Sequence, residues 1–471
     1  MANMQTNKTP MTELAPDVRA KNWEEVACGY TAEEAMTEAA RCLACRNPLC
    51  MQGCPVAVNI PEFLSLVAKG EFIEAYHVIR KTNALPAISG RVCPQERQCE
   101  GKCVRGIKGE PVAIGRLERF CADFALAQGE SGTCDITGCG DCTLCHKEKA
   151  KVAVVGSGPA GLSCAGELAE RGYRVTVFEA LHKAGGVLVY GIPEFRLPKA
   201  IVEKEIGSLE ARGVEIKTDM VIGRILSIDE LFDMGYKAVF IGSGAGLPRF
   251  MGIEGENASG VYSANEFLTR INLMKAYRDD YGTPIRKGRS VAVVGGGNVA
   301  MDAARCAKRL GAEHVYIVYR RSEAEMPARR EEIHHAKEEG IEFLFLTNPK
   351  KIGVDARGEA SSMTCVKMAL GEPGPDGRRN PVEMEGSEFD LPVDTVIMAV
   401  GTAPNPLIRM TTPGLDTDRR GCFVTSDGNT TTREGVFAGG DAVTGAATVI
   451  LAMGAGRDAA EKIDAYIRSK S

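Results

Sequence analysis

No uninterrupted apolar run of about 18 residues occurs in the 471-residue chain, so no membrane-spanning helix is expected. The opening stretch MANMQTNKTP is polar and lacks the apolar core of a signal peptide; the expected location is the cytoplasm. Basic charge is not in excess, with 57 Lys and Arg against 62 Asp and Glu, which removes the field that recruits nucleic acid or anionic lipid. There is no long low-complexity tract, and no internal repeat beyond one pair of glycine-rich turns. What remains is 44% hydrophobic, enough for two or three packed domains and suited to electron transfer or metabolism.

The paired turns are VAVVGSGPAG from Val152 to Gly161 and VAVVGGGNVA from Val291 to Ala300, each set between an apolar strand and a helical run. One such turn is a weak signal; two in one chain suggest two nucleotide cofactors facing each other. In the first, Gly156 allows the tight turn, Gly158 lets a pyrophosphate approach the backbone, and Gly161 lets helix and strand pack closely, with Pro159 and Ala160 opening the helix. The helix N-terminus offers unpaired N–H groups and positive dipole to the phosphates. Glu179 ends the next strand, where a carboxylate accepts hydrogen bonds from both ribose hydroxyls and repels a 2′-phosphate. That site is expected to take FAD or NAD(H). The stretch Ala438 to Asp441, AGGD before a helix, resembles a second flavin fingerprint and favours FAD, with Gly186, Gly440 and Asp441 completing the candidate residues.

The second turn carries Gly295, Gly297, Asn298 and Val299, with Ala300 in place of the third glycine. Its second strand ends not in an acid but in Arg320 and Arg321, whose guanidinium groups match a 2′-phosphate, so NADPH is expected. Arg329 or Arg330 fits either a further phosphate contact or a solvated helix face. His334 and His335 lack ligand spacing and are expected at the surface.

Thirteen of the 17 cysteines precede residue 146, and clustered thiols in a cytosolic context are more often metal ligands than disulfides. Cys42, Cys45, Cys50 and Cys54 form one block; Cys93, Cys99 and Cys103 form another, in which helical spacing places Cys99 and Cys103 on one face. Neither matches the bacterial ferredoxin run. Seven thiols make one full ligand set and one set short by a ligand. Structural zinc is the rival to iron–sulfur clusters, but only clusters take the single electrons that a reduced flavin releases. A third group, Cys134, Cys139, Cys142 and Cys145, with His146 as another possible ligand, fits a further metal site or plain surface thiols. Cys164, Cys306, Cys365 and Cys422 read as packing residues.

The expected architecture is α/β: two Rossmann-like domains for FAD and NADPH, one inserted in the other, behind a helical iron–sulfur domain. The boundaries read as 1–130 for the helical domain, 131–150 for a cysteine-rich linker, 151–288 and 396–471 for the FAD domain, and 289–395 for the NADPH domain. Thr31 caps the first helix with Glu34 three residues on, short helices follow at 61–69 and 72–81, and the Pro- and Gly-rich stretch 371–381 reads as a hairpin tip.

From about Asn22 to Ile467 the chain resembles the glutamate synthase small-chain family of NADPH oxidoreductases containing FAD and iron–sulfur clusters. The carrying residues are RCLAC at 41–45, GRVCPQERQCEGKC at 90–103, AIGRLERF at 113–120, GIPEFRLPK at 191–199 and GGDA at 439–442. The 191–199 wording is also similar to the large subunit of NADH-dependent ferredoxin:NADP oxidoreductase, an electron-bifurcating enzyme. The resemblance implies two [4Fe-4S] clusters, one on Cys42, Cys45, Cys50 and Cys103, the other on Cys54, Cys93 and Cys99 with Glu118 as the best match for a non-cysteine ligand. An ordinary helix-surface carboxylate is the alternative for Glu118, and residues 131–149 depart from the family pattern. It further implies a hydride exchanged between NADPH and FAD, and electrons passed singly to a partner. That partner is a glutamate synthase large subunit making glutamate from 2-oxoglutarate and glutamine, or, in the bifurcating branch, a small flavin and iron–sulfur subunit together with ferredoxin. No glutaminase nucleophile and no room for an FMN barrel are evident in this chain. A redox sensor is the third reading.

Overall fold

The computed structural model describes residues 3–129, 149–374 and 377–470. The Cys134 to Cys145 group lies outside them. The helices of the N-terminal unit are α1 (Ala32–Ala39), α2 (Ile60–Val67), α3 (Phe72–Arg80), α4 (Pro86–Val92) and α5 (Ile114–Ala127). Thr31 and Glu34 form the expected capping box on α1, each side chain taking the other's backbone N–H, a feature typically worth about 1 kcal/mol. Apolar faces repeat at three- and four-residue intervals: Phe63, Leu64 and Val67 on α2, Ala75 and Ile79 on α3, Leu117, Cys121 and Ala125 on α5 all lie inside. Between α4 and α5 the expected helical face at 99–103 is absent. Glu100–Lys102 is a single 3-10 turn with Cys99 and Cys103 at its ends, so the two thiols diverge.

The flavin-side sheet is five-stranded and parallel, in the order β14-β4-β1-β2-β3, where β1 is Lys151–Val155, β2 Arg174–Phe178, β3 Glu215–Lys217, β4 Tyr236–Ile241 and β14 Val436–Ala438. Helix α6 (Pro159–Glu170) follows β1, and the long helix α10 (Val449–Lys470) closes over it. The core is continuous from Phe63 and Ile79 of the N-terminal unit through Val152 and Leu162 to Met453 and Ile463. The cysteine-bearing unit and the flavin unit therefore share one packed interior.

Inserted between β4 and β14 is a second five-stranded parallel sheet, ordered β8-β7-β6-β13-β5: β5 is Val261–Ser263, β6 Ser290–Val294, β7 His314–Tyr319, β8 Glu342–Phe345 and β13 Thr395–Met398. Helices α7 (Ala264–Asn272), α8 (Asn298–Arg309) and α9 (Arg330–Glu338) flank it. This corrects the expected boundaries. The strand at 261–263 pairs with 396–398, and 395–398 pairs with 291–294, so both segments belong to the nicotinamide-side sheet and not to the flavin side. A smaller antiparallel sheet, unforeseen from the sequence, joins β9 (Thr347–Val354), β10 (Ala360–Pro373), β11 (Arg379–Glu383) and β12 (Phe389–Leu391). The described residues of the stretch 371–381 flank the β10–β11 turn, with Pro373 paired to Arg379, as expected for a hairpin. Among the described residues no helix is long and apolar enough to cross a membrane.

Candidate redox centres

The first glycine turn is built as an open cradle. Gly156 takes φ +99°, a conformation that L side chains rarely adopt, and Gly158 precedes α6 in extended geometry with no side-chain cap on the helix. A Cβ on Gly158 meets nothing within 4 Å, whereas one on Gly161 lies 1.9 Å from the Gly156 carbonyl. Open space thus adjoins uncapped backbone N–H groups while the helix presses on the strand behind them, which fits a pyrophosphate. Gly186 (φ +53°) crosses the turn, and a Cβ there lies 2.9 Å from Gly158 Cα. Glu179 is buried at the end of β2 and accepts hydrogen bonds from Ser157 N (2.9 Å), Ser157 Oγ and Leu181 N (2.9 Å). Ser157, not singled out in the sequence, is fully buried and also takes the Gly185 N–H at 2.8 Å, joining the two glycine loops. Its only sequence signal was a hydroxyl inside a glycine turn.

Asp441 reaches the same place from the far end of the chain. Gly440 (φ +65°) packs against Ala160, with its Cβ position 3.0 Å from that side chain. Burial pushes the Asp441 carboxyl up to about 6, and the hydrogen bond it accepts from Ala447 N offsets this only in part. A carboxylate so short of donors suits a polyhydroxyl chain. Tyr190 lies within the field of both acids: burial first, then the charges of Glu179 and Asp441, push its hydroxyl up to about 12. FAD fits this set of residues.

The second turn repeats the geometry. Gly295 has φ +145°, Gly297 precedes α8 with no side-chain cap, and Ala300 is fully buried in the place of the third glycine. Arg320, just beyond β7, is exposed, and no hydrogen bond or ion pair involves it among the described residues. Arg321 is buried, its Nε donating to the Arg379 carbonyl at 2.8 Å. Asn298 Oδ1 accepts from Arg329 N at 2.9 Å, and Val299 is exposed.

The next loop departs from expectation. Arg329 is buried and donates to the Arg91 carbonyl (2.6 Å) and Gln95 Oε1 (3.1 Å) of the N-terminal unit, while Arg97 donates back to the carbonyls of Met326 and Pro327. This loop is a docking seam, and Arg329 serves it instead of a phosphate; Arg330 remains exposed. His334 is at the surface as expected. His335 is buried, with Nε2 2.9 Å from Glu13 Oε2.

The seven N-terminal thiols separate into the two expected groups. Burial and then the Cys103 charge raise Cys42; burial and then Cys103, Cys42 and Cys45 push Cys50 up to about 11. These four line one small cavity with Leu43, Leu49, Ile60 and Leu64. Burial and then Glu118 raise Cys54, and Cys93 and Cys99 both feel Glu118 and Cys54. Glu118 is not a surface carboxylate: burial pushes it up to about 7, and its Oε1 takes hydrogen bonds from Asn83 Nδ2 (2.9 Å) and Ser89 Oγ. Two non-glycine residues with positive φ, Ala44 (+46°) and Ala57 (+51°), sit in the thiol loops and turn backbone N–H groups toward Cys42 and Cys54. Thiols this reluctant to ionise need a cation to become ligands. The two sets, four thiols around one cavity and three thiols beside Glu118, offer the sulfur-rich donors that an iron–sulfur core takes.

Two contacts bind these sites into one unit. A Cβ on Gly454 of α10 lies 3.1 Å from the Pro55 carbonyl, next to Cys54, and one on Gly456 lies 2.1 Å from the Ala160 carbonyl at the flavin turn. One helix thus touches the inner thiol set and the flavin cradle. On the other side, Arg196 in the segment after the flavin loops donates from Nη1 to both carboxylate oxygens of Asp302 on α8 (2.7 and 2.8 Å) and pairs through Nε with Glu332 at 3.0 Å. Arg305 and Arg309 both lie over the ring of the neighbouring Phe195 and pair with Glu339. Burial alone raises Glu339, but the Arg309 and Arg305 hydrogen bonds override it and bring the carboxyl down to about 2.

Fold and glycine turns together define a two-dinucleotide oxidoreductase behind an iron–sulfur domain. Residues 19–130 match the family model of dihydropyrimidine dehydrogenase domain II, 4Fe-4S cluster, and residues 150–456 match that of pyridine nucleotide-disulphide oxidoreductases. The chain belongs to the glutamate synthase small-chain family, being 36% identical to the glutamate synthase [NADPH] small chain of Escherichia coli over 95% of this chain and 94% of that protein. It is also 41% identical to the NADP(+)-dependent formate dehydrogenase subunit beta of Moorella thermoacetica, over 89% of this chain but 60% of that subunit. The Mycobacterium tuberculosis FprA complex with NADPH superimposes with a TM-score of 0.58 at 20% identity, covering 68% of this chain and 85% of that one, a likeness of fold. The chain is therefore an NADPH-dependent oxidoreductase of the FAD and iron–sulfur kind.

Proposed function

We propose that this chain is the electron-input subunit of a larger enzyme, passing electrons from NADPH through FAD and two [4Fe-4S] clusters to a partner subunit, which in the glutamate synthase case makes glutamate from 2-oxoglutarate and glutamine. The observation that carries this reading is the placement of the inner thiol set and the flavin cradle on one helix, through Pro55 on Gly454 and Ala160 on Gly456. FAD bound there supplies the chemistry that turns a two-electron hydride into single electrons. The protein's part is alignment. Gly156, Gly158, Gly161 and Gly186 shape the phosphate cradle, and Glu179 and Asp441 hold hydroxyls. Arg320, with Arg321 behind it, selects the 2′-phosphate, and Arg196 ties the segment after the flavin loops to α8 and α9 of the nicotinamide side. Cys54, Cys93, Cys99 and Glu118 would hold the inner cluster; Cys42, Cys45, Cys50 and Cys103 the outer one. No acid or base is required.

The Moorella formate dehydrogenase subunit supports a second reading, in which the same input module serves a different partner. The experiment is anaerobic isolation from native cells, iron quantitation, and mass spectrometry of whatever co-purifies. Iron for two clusters, flavin bleaching by NADPH and a large synthase chain support the proposal. A small flavin and iron–sulfur partner assigns the chain to the bifurcating branch, and bound cofactors without bleaching leave a redox sensor.

A further inference from the structure

Between the N-terminal unit and the nicotinamide side lies a cavity of about 750 Å³. Neither glycine turn reaches its walls, and nor does Arg320. Its charge is lopsided, with nine Lys and Arg against six Glu in a chain of formal net charge −5. The acids are spent on local partners. Glu25 pairs with Arg91 (2.8 Å) and Arg119 (3.1 Å), Glu332 with Arg196 and Arg305, and Glu100 with Lys8. Glu331 is shared between Arg329 at 2.7 Å and Arg116 of α5 at 3.8 Å.

The surplus gathers where α9 begins. This nine-residue helix has no side-chain cap from its own N-cap residue, and Glu96 of the N-terminal unit takes the Arg330 N–H at 3.1 Å, so a carboxylate already favours this end. Arg330 is exposed in the cavity wall, and among the described residues nothing pairs with its guanidinium. Arg329 is only 7% exposed. Its two terminal nitrogens serve the Arg91 carbonyl, Gln95 and Glu331, but its Nε is buried with no hydrogen-bond partner. A guanidinium keeps its protons, so this charged donor is left without an acceptor beside a cavity already rich in positive charge.

We propose that this cavity binds a small polyanion, a metabolite with two or more carboxylate or phosphate groups, held by Arg116 from one side and by Arg329 and Arg330 from the other. The planar arginine fork matches either kind of oxyanion, and the cavity volume is that of a small-molecule site. The occupant bridges two units. Arg116 stands on α5, the helix that also carries Glu118 beside the inner thiol set, and Arg330 opens α9 of the nicotinamide side. Anion binding therefore tightens the seam that Arg329 and Arg97 already form.

The test is calorimetric titration of the full-length holoprotein at low ionic strength, with citrate and, separately, inorganic pyrophosphate as probes. Saturating NADP+ is present throughout, so that the nucleotide's own phosphate site is filled. The expected result is saturable binding of at least one probe at one site per chain. Arg330→Gln and Arg116→Gln should each weaken it about tenfold, the worth of one charged hydrogen bond. Lys337→Gln, further along α9 and paired with Glu323, should leave it unchanged. Tighter binding of citrate marks a polycarboxylate ligand, and tighter binding of pyrophosphate a phosphorylated one. Iron content checks that each variant is intact; if Arg116→Gln loses iron, the exposed Arg330 decides. No saturable binding of either probe overturns the site, as does binding that NADP+ abolishes or that survives Arg330→Gln unchanged.

Discussion

The two strand–turn–helix units share glycine spacing and positive-φ geometry, and two of the differences between them each have their own physical cause. Where the first unit has Gly161, the second has Ala300; the first helix lies so close to its strand that a Cβ meets the Gly156 carbonyl at 1.9 Å, while the second accommodates a methyl group in full burial. Where the first strand ends in Glu179, the second is followed by Arg320. Under the proposed function, backbone shape serves phosphate binding at both turns, and one side chain at the strand end chooses between a bare ribose and a phosphorylated one.

The sharpest way to break this comparison is Gly161→Ala. It is expected to abolish flavin retention, read as loss of flavin absorbance after purification. Next comes Arg196→Met, which strands Asp302 while Glu332 keeps Arg305. A stability loss of about 3–5 kcal/mol is expected, visible as a lowered Tm, with partial recovery on adding Asp302→Asn. Arg320→Ala should cut the NADPH over NADH preference roughly 10- to 100-fold, the worth of about 1.5–3 kcal/mol for a charged hydrogen bond. Adding Arg321→Ala should contribute less, since that side chain already serves the Arg379 carbonyl; an unchanged preference in the double variant would refute the site. Glu179→Gln keeps the shape but loses the charge that Ser157 and Leu181 donate to, and flavin affinity should fall by about tenfold. The smallest effect belongs to Ala300→Gly, at about 1 kcal/mol or less of stability with NADPH binding retained. A large effect there would make the second helix as tightly seated as the first.

Local features were legible in the sequence: the turns with their strands, the Thr31–Glu34 cap, the hairpin at 371–381, and the families of thiols. Each follows from spacing within a few residues. What spacing does not encode is which distant groups meet. Arg329 and His335 looked like solvent-facing members of a charge run, but Arg91, Gln95 and Glu13, more than two hundred residues away in the chain, cover them. Cys99 and Cys103 have helical separation, yet a 3-10 turn sends them to different thiol sets. The boundaries at 288 and 395 missed because β5 and β13 are three- and four-residue strands, too short to show a period, and only sheet pairing assigns them. Arg196 lay inside a stretch already marked by resemblance, but its role needed the partners Asp302 and Glu332.

The helix Val449–Lys470 has a consequence for how the protein comes into being. A ribosome releases Gly156–Gly161 long before Gly440, Asp441 and Gly456, so the emerging chain carries a phosphate turn with half its walls missing. The loop of Cys54, which rests on Gly454, waits for the same helix. Flavin loading is then a late event, and a chain cut short before this helix leaves the ribosome unable to hold the cofactor, however well its first two thirds have folded.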